Sequence, residues 1–180
     1  MYQWNRHTKP INKGKQGTIY LCSSPEYEEG TKFVMKSFKP GKSNTKFIRE
    51  VDLHRAASTI NIAPQIIDFY IGGTDKKKGP SSYIIMEKLD QTVLPIIKSQ
   101  GKLRDEQWNE IMNLYKKLDS INILHNDANL CNIMYRFHPP RFYLIDFGMA
   151  KVGMGNMTIS YPLLRSRLLR EEKQTSSQNK

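Results

Sequence analysis

Apolar residues fall into short strand-like runs in the first half of this chain and into helical spacing in much of the second. Residues 18–22 (Thr-Ile-Tyr-Leu-Cys) and 32–38 (Lys-Phe-Val-Met-Lys-Ser-Phe) are rich in β-branched and aromatic side chains and predict two strands. The Ser, Pro, Glu and Gly residues between them, at 23–31, suit a hairpin connection. The polar stretch Pro40-Gly41-Lys42-Ser43-Asn44 supplies capping residues for a helix over about 45–58, with Phe47, Ile48 and Val51 on its apolar face. Beyond Pro64, residues 66–71 and 82–88 predict two more strands, joined by an exposed loop that carries Lys76-Lys77-Lys78. This half of the chain therefore reads as antiparallel sheet with one helix.

The second half changes character. Trp108, Ile111, Met112, Tyr115 and Leu118 recur at the spacing of one helix face and predict a helix over 105–121. Two short strands are expected at 132–135 and 142–145, with Pro139-Pro140 in the turn between them. The chain after Gly148 is rich in Gly, Met and Ser. A short basic amphipathic helix is expected over Leu163 to Glu172, followed by a polar, disordered tail at 173–180.

Composition narrows the classes. A hydrophobic fraction of 38% with nine Tyr and seven Phe excludes wholesale disorder, and 180 residues suffice for one domain with two small lobes. The formal charge of +11 admits an anionic partner, but no block of five or six like charges occurs. Scattered surface lysines are therefore the favoured reading and a nucleic-acid partner the less favoured one. Cys22 and Cys131 form no Cys-x-x-Cys pair, which removes support for a zinc site or disulfide framework and suits reduced thiols inside a cell. The N-terminus lacks the apolar stretch of a signal peptide, and no apolar run approaches membrane-spanning length.

The chemistry concentrates at His125-Asn126-Asp127-Ala128-Asn129-Leu130-Cys131-Asn132, followed 19 residues after Asp127 by Asp146-Phe147-Gly148. His-x-Asp-x-x-x-x-Asn followed by Asp-Phe-Gly resembles the catalytic loop and metal-binding motif of protein kinases. The residue types suit phosphoryl transfer to a hydroxyl, which needs a carboxylate near the attacking oxygen and hard oxygen ligands for Mg²⁺ beside the phosphates. Asp127 is the candidate base that orients the hydroxyl and accepts its proton, and Asn132 and Asp146 are the candidate metal ligands.

The same resemblance extends toward the N-terminus. Asn12-Lys13-Gly14-Lys15-Gln16-Gly17-Thr18-Ile19 resembles a kinase glycine loop with Asn12 in place of its first glycine; Gly14 and Gly17 would let backbone amides close over phosphates. Phe33-Val34-Met35-Lys36 loosely matches the strand that presents the nucleotide-binding lysine. Lys36 is the expected phosphate ligand, and Glu50 on the following helix is its best-placed carboxylate partner, with Asp52 as the alternative. Ile84-Ile85-Met86-Glu87-Lys88-Leu89 resembles the strand that enters the kinase hinge. That implies Met86 as gatekeeper, adenine against the backbone near Glu87 to Leu89, and Ile19 and Val34 lining the nucleotide site. Thr92 to Ile97 with Gly101-Lys102-Leu103 resembles the next kinase helix and its turn. The likeness runs in the family's order over residues 8 to 151.

The resemblance thus implies an α+β, bilobal protein-kinase-like fold. Residues 1–172 would form one kinase-like domain, with an N-terminal lobe over about 1–88 and a reduced, truncated helical C-terminal lobe over about 89–172. It implies ATP and Mg²⁺ as cofactors and a Ser/Thr hydroxyl of a protein substrate as acceptor. Three departures qualify it. Asn126 replaces the arginine that couples many kinase loops to a phosphorylated segment, which implies activity not switched in that way. Asn129 stands where Ser/Thr protein kinases carry Lys, so a small-molecule phosphotransferase, or an ATPase within a complex, stays open. Thirty-two residues follow Gly148, without an Ala-Pro-Glu motif. In this the chain resembles the small kinases of bacterial effectors, large DNA viruses and the tRNA-modifying complex. Such a chain would act in the cytoplasm, its own or a host's, and would offer apolar surface to an activating or stabilising protein partner. A pseudokinase scaffold is the alternative that the missing helices suggest; the filled polar positions argue for catalysis.

Overall fold

The computed structural model describes residues 3–14, 17–30, 32–41, 43–73 and 81–178, with side chains described as far as Arg170. The run Lys76-Lys77-Lys78 and the loop residues Lys15 and Gln16 lie outside the described residues.

The N-terminal half is a five-stranded antiparallel sheet in the order β1-β2-β3-β5-β4. Its strands are β1 (Asn5–Lys13), β2 (Gly17–Ser23), β3 (Phe33–Phe38), β4 (Ile66–Tyr70) and β5 (Tyr83–Glu87). The expected hairpin of β2 and β3 is present, with Ile19 opposite Lys36. β1 was not expected. Its sequence, NRHTKPINK, has no apolar alternation because it is an exposed edge strand, and its pairing with β2 is irregular on both sides of Pro10. An edge is where a sheet tolerates a residue without an N–H.

Strand alternation sends side chains to two small cores. Phe33, Met35 and Ile85 join Cys22 on one face, under Trp4 and Tyr27. Phe38, Ile84 and Met86 meet Phe47 and Val51 of the helix α1 (Asn44–Thr59) on the other, with Val34 packed against them. Period-two alternation on β3 therefore carries Lys36 to the α1 side together with Val34 and Phe38. The buried face of α1 is Phe47, Glu50, Val51 and His54, spaced i, i+3, i+4, i+7. Ile48 falls off that stripe and is exposed, contrary to the sequence expectation.

The second half is built on the largest core, which also takes Leu53 and Ala57 from α1. Strand β6 (Gln91–Thr92) leads into α2 (Val93–Gln100), which ends where Gly101 adopts φ 78°, a left-handed conformation that glycine tolerates best. Helix α3 (Asp105–Ser120) buries Ile111, Leu114, Tyr115 and Leu118, whereas the expected core residues Trp108 and Met112 are only half-buried. Strands β8 (Ile133–Arg136) and β9 (Arg141–Leu144) form the expected hairpin and extend β6 into a three-stranded sheet. Between α3 and this hairpin lies β7 (Ile123–Leu124), which pairs with β10 (Lys151–Val152). A wide helical turn at Asn156–Ser160 then runs into α4 (Tyr161–Gln178). This helix begins two residues earlier than expected and continues through the region read as a polar tail. Leu164 and Leu168 seat it in the main core.

Cys22 is buried and Cys131 exposed, and neither is in a disulfide. Among the described residues no helix is long and apolar enough to cross a membrane.

Candidate active site

The sheet and α1 bring the first two site residues together. Lys36 Nζ lies 2.7 Å from Glu50 Oε1 and 2.8 Å from Asp146 Oδ1. Glu50, rather than the alternative Asp52, faces Lys36, because position 50 is on the buried stripe of α1 and Asp52 is exposed. Burial pulls the Lys36 ammonium toward neutrality, but the Glu50 and Asp146 carboxylates outweigh it and leave its pKa above the ordinary lysine range. Burial likewise opposes ionisation of Asp146, and Lys36 with the Gly148 amide overrides it, so the Asp146 pKa lies below the usual carboxylate value. Lys36 and Asp146 are therefore both charged near neutral pH.

The β8–β9 hairpin joins the other half of the site. Asn132 immediately precedes β8, and Asp146 follows β9 by two residues. Ile133 is paired with Leu144, and Ile145 N donates to Asn132 O at 3.0 Å. Asn132 Nδ2 donates to both the carbonyl and Oδ2 of Asp127, each at 2.9 Å. Asn129 caps the single helical turn Leu130–Asn132 by accepting from Asn132 N at 3.1 Å, and its Nδ2 reaches Asp127 Oδ1 at 3.3 Å. Two asparagines therefore hold the Asp127 carboxylate from both oxygens. Asn126 and Asp146 both adopt left-handed backbone, with φ 59° and 64°, a region that Asn and Asp enter more readily than most residues. Asn126 thus suits the turn in which the expected arginine is missing.

A buried ring stack supports both motifs. Phe147 lies between His54 of α1, at 5.2 Å, and His125, at 5.0 Å between ring centroids. His54 Nε2 donates to Pro64 O at 2.8 Å, and His125 Nε2 donates to Ile145 O at 3.0 Å, since a carbonyl only accepts. Desolvation lowers the pKa of His125 and takes that of His54 down to about 4. Both rings are neutral at physiological pH.

The nucleotide-facing candidates lie on the sheet. Val34 and Met86 are opposite each other across β3 and β5, and Met86 and Leu89 are buried. The amide of Glu87 is taken by Gln65 O at 3.0 Å, so that amide is not among the hinge groups open to an adenine. The glycine loop closes through Gly14 N to Gly17 O at 2.8 Å. A Cβ on Gly17 would stand 2.3 Å from Ser37 O, a backbone collision, whereas the nearest atom to a Cβ on Gly14 is 3.8 Å away. Close strand approach therefore requires Gly17 to be glycine.

Sequence reasoning missed a second polar cluster behind the loop. Asn156 is fully buried; its Nδ2 donates to Ile123 O at 2.6 Å and Asp119 Oδ1 at 2.9 Å, and its Oδ1 accepts from His125 N at 3.0 Å. The Asp119 carboxylate also accepts from the amides of Gly155, Asn156 and Met157. Those bonds overcome desolvation and hold its pKa below the usual range. Gly153 and Gly155, at φ 149° and 117°, make the bend that brings Asn156 back and are the sequence signal that a tight return occurs there. Arg167 of α4 was also missed; its Nη1 donates to Ala128 O at 2.9 Å.

The donor set fits a magnesium ion bound with phosphate. Asn132 keeps Oδ1 as a neutral oxygen donor while its Nδ2 is spent on Asp127, and the described contacts of Asp146 fall on Oδ1. Among the described residues no group of three or more His, Cys, Asp or Glu side chains is placed to hold a metal. Two protein oxygens with phosphates and water completing the shell is how Mg²⁺ is commonly held.

The chain is similar to known kinases in sequence and in fold. The sequence model of the lipopolysaccharide kinase (Kdo/WaaP) family matches residues 27–160, from before Lys36 to beyond Asp146. The chain belongs to that family, within the protein-kinase-like superfamily. It is 26% identical over 156 residues to the probable serine/threonine protein kinase IRE of Arabidopsis thaliana, which covers 83% of this chain and 13% of that protein. It is 31% identical over 75 residues to the 3-deoxy-D-manno-octulosonic acid kinase of Pasteurella multocida, covering 40% of this chain and 31% of the relative. The structure of the Cydia pomonella granulovirus kinase PK-1 superposes with a TM-score of 0.64 at 22% identity, over 83% of this chain and 52% of that one. The fold is thus kinase-like, and the chain spans a small part of its curated relatives and about half of the viral kinase.

Proposed function

We propose that this Kdo/WaaP-family chain is a phosphotransferase that moves the γ-phosphoryl group of Mg-ATP onto a hydroxyl. The observation that carries the reading is the Lys36 clasp on Glu50 and Asp146, joined through the Ile145–Asn132 backbone bond to an Asp127 carboxylate held by Asn132. Glu50 fixes Lys36 as a point charge for phosphate oxygens. Asn132 and Asp146 would hold Mg²⁺, which would neutralise phosphate charge as it shifts toward the leaving oxygen. Asp127, aimed by its two asparagines, orients the acceptor hydroxyl and takes its proton. The barrier falls mainly through positioning and fixed charge.

For the acceptor we favour a Ser or Thr hydroxyl of a protein. The Arabidopsis relatives support that choice, since they match 83% and 84% of the chain. The second reading is a sugar hydroxyl, supported by the family match and the Pasteurella relative. The test is to supply γ-labelled Mg-ATP with a cell extract separated into protein and small-molecule fractions. Label in acid-stable phosphoserine or phosphothreonine supports the protein acceptor; label only in a small-molecule product moves the assignment to the sugar reading. Label in neither, with nucleotide bound, leaves the scaffold reading.

A further inference from the structure

The loop that carries Asp127 has no cation free to act. Residues 125–133 read His-Asn-Asp-Ala-Asn-Leu-Cys-Asn-Ile, and the histidine is buried and neutral. Lys36 is engaged by two carboxylates, Glu50 and Asp146. Phosphoryl transfer nevertheless spreads negative charge over three equatorial oxygens between donor and acceptor. Fixed positive charge at that point is among the larger contributions a protein can make to the rate.

A cation reaches the loop from α4. Arg167 donates to the carbonyl of Ala128, the residue between Asp127 and Asn129. The helix holds it there: Leu164 and Leu168 are fully buried, and Tyr161 packs on Trp108 and Tyr115 with centroids 6.0 and 6.3 Å apart. Arginine carries five N–H donors in a rigid fork, and one suffices for a carbonyl. The Arg167 side chain is exposed, so the rest of the fork is open to solvent next to the loop that carries Asp127. Residue 167 lies beyond the 27–160 span of the family match, so the family likeness does not supply this role.

We propose that Arg167 contacts the phosphoryl group in transit at Asp127 and supplies the positive charge its loop lacks. The inference rests on the phosphotransfer reading of this site. In that step the bond from the γ phosphorus to the β–γ bridging oxygen breaks and a bond to the acceptor oxygen forms. The acceptor proton passes to the Asp127 carboxylate, and ADP leaves.

The test uses the whole chain with γ-labelled Mg-ATP, dephosphorylated casein as acceptor probe, and release of inorganic phosphate to water measured alongside. Arg167→Ala is expected to lower kcat about 100-fold, with the dissociation constant of a fluorescent ATP analogue within about twofold of wild type. Arg167→Lys is expected to retain an intermediate rate, and millimolar guanidinium to restore part of the Arg167→Ala rate. A latch that merely secured α4 would lower the melting temperature without guanidinium rescue. If Arg167→Ala melts early, Arg167→Lys carries the comparison. A kcat within twofold of wild type in the folded variants overturns the inference while phosphotransfer stands. A wild-type chain that transfers phosphate neither to casein or water nor to any protein or small-molecule fraction of a cell extract overturns phosphotransfer itself, and this inference with it.

Discussion

Asp146 Oδ1 and Lys36 Nζ are 2.8 Å apart although 110 residues separate them along the chain. The contact closes the sheet and α1 onto the segment that follows β9. It also sets the charge state of the site, because each group holds its partner ionised. The sign of the pH dependence follows. The Asp146 contribution is present above the ordinary carboxylate pKa and is lost as pH falls through its lowered folded value. The Lys36 contribution is present below the ordinary lysine pKa and is lost as pH rises through its raised folded value. Between those limits the clasp gives no slope.

The buried histidines give the slope within that window. His54 titrates at about 4 when folded, against about 6.5 in an unfolded chain. Between these values the unfolded chain binds more protons, so stability falls as pH drops from about 6.5 toward 4, by up to roughly 3 kcal/mol. Urea denaturation across this range is expected to show an acid-side loss that His54→Leu reduces, leaving the share due to His125. An unchanged slope in His54→Leu would show that His54 is not held neutral against Phe147.

Gly17→Ala is expected to force β2 away from β3 at Ser37, costing about 1–3 kcal/mol as an overpacked contact, and, on the proposed nucleotide site, to weaken nucleotide binding. Gly14→Ala, whose new Cβ meets nothing closer than ordinary contact at 3.8 Å, is expected to change melting temperature little. Thermal melts and nucleotide titration of the two variants check this; equal effects would contradict the geometry.

Asn156→Ala removes the partners of the Ile123 carbonyl and the His125 amide in a fully buried setting. Unpaired groups of this kind cost about 1–3 kcal/mol each, so a loss of about 2–6 kcal/mol is expected. Asp119→Ala is expected to be non-additive with it, since both residues belong to one network. A double-mutant cycle by chemical denaturation reads both quantities, and simple additivity would contradict a shared network.

The legible parts of this fold are those where side-chain type repeats with the backbone period. β2, β3, β5 and α3 announce themselves through apolar runs or helical spacing, and Asp127, Asn132 and Asp146 through their fixed separation. β1 is silent because an exposed edge strand needs no apolar face. Ile48 misleads because its hydrophobicity alone does not reveal on which side of the 47/50/51/54 stripe it falls. His54, Asn156 and Arg167 are illegible for another reason. Each acts through contacts with residues elsewhere in the sequence, and no local pattern marks a polar side chain as the one that tertiary packing will bury or recruit.

Lys36, Asp127, Asn132 and Asp146 together form the proposed phosphotransfer site. The most direct measurement is the rate of labelled γ-phosphate transfer from Mg-ATP by wild type, Asp127→Asn and Lys36→Met, with nucleotide affinity measured on the same preparations. Wild type is expected to transfer. Asp127→Asn is expected to lose about 100-fold or more in rate while binding nucleotide normally, and Lys36→Met to lose both rate and affinity. Wild-type transfer that survives Asp127→Asn undiminished would contradict the assignment of this carboxylate, and a wild-type chain that binds Mg-ATP yet transfers nothing would contradict the site as a whole.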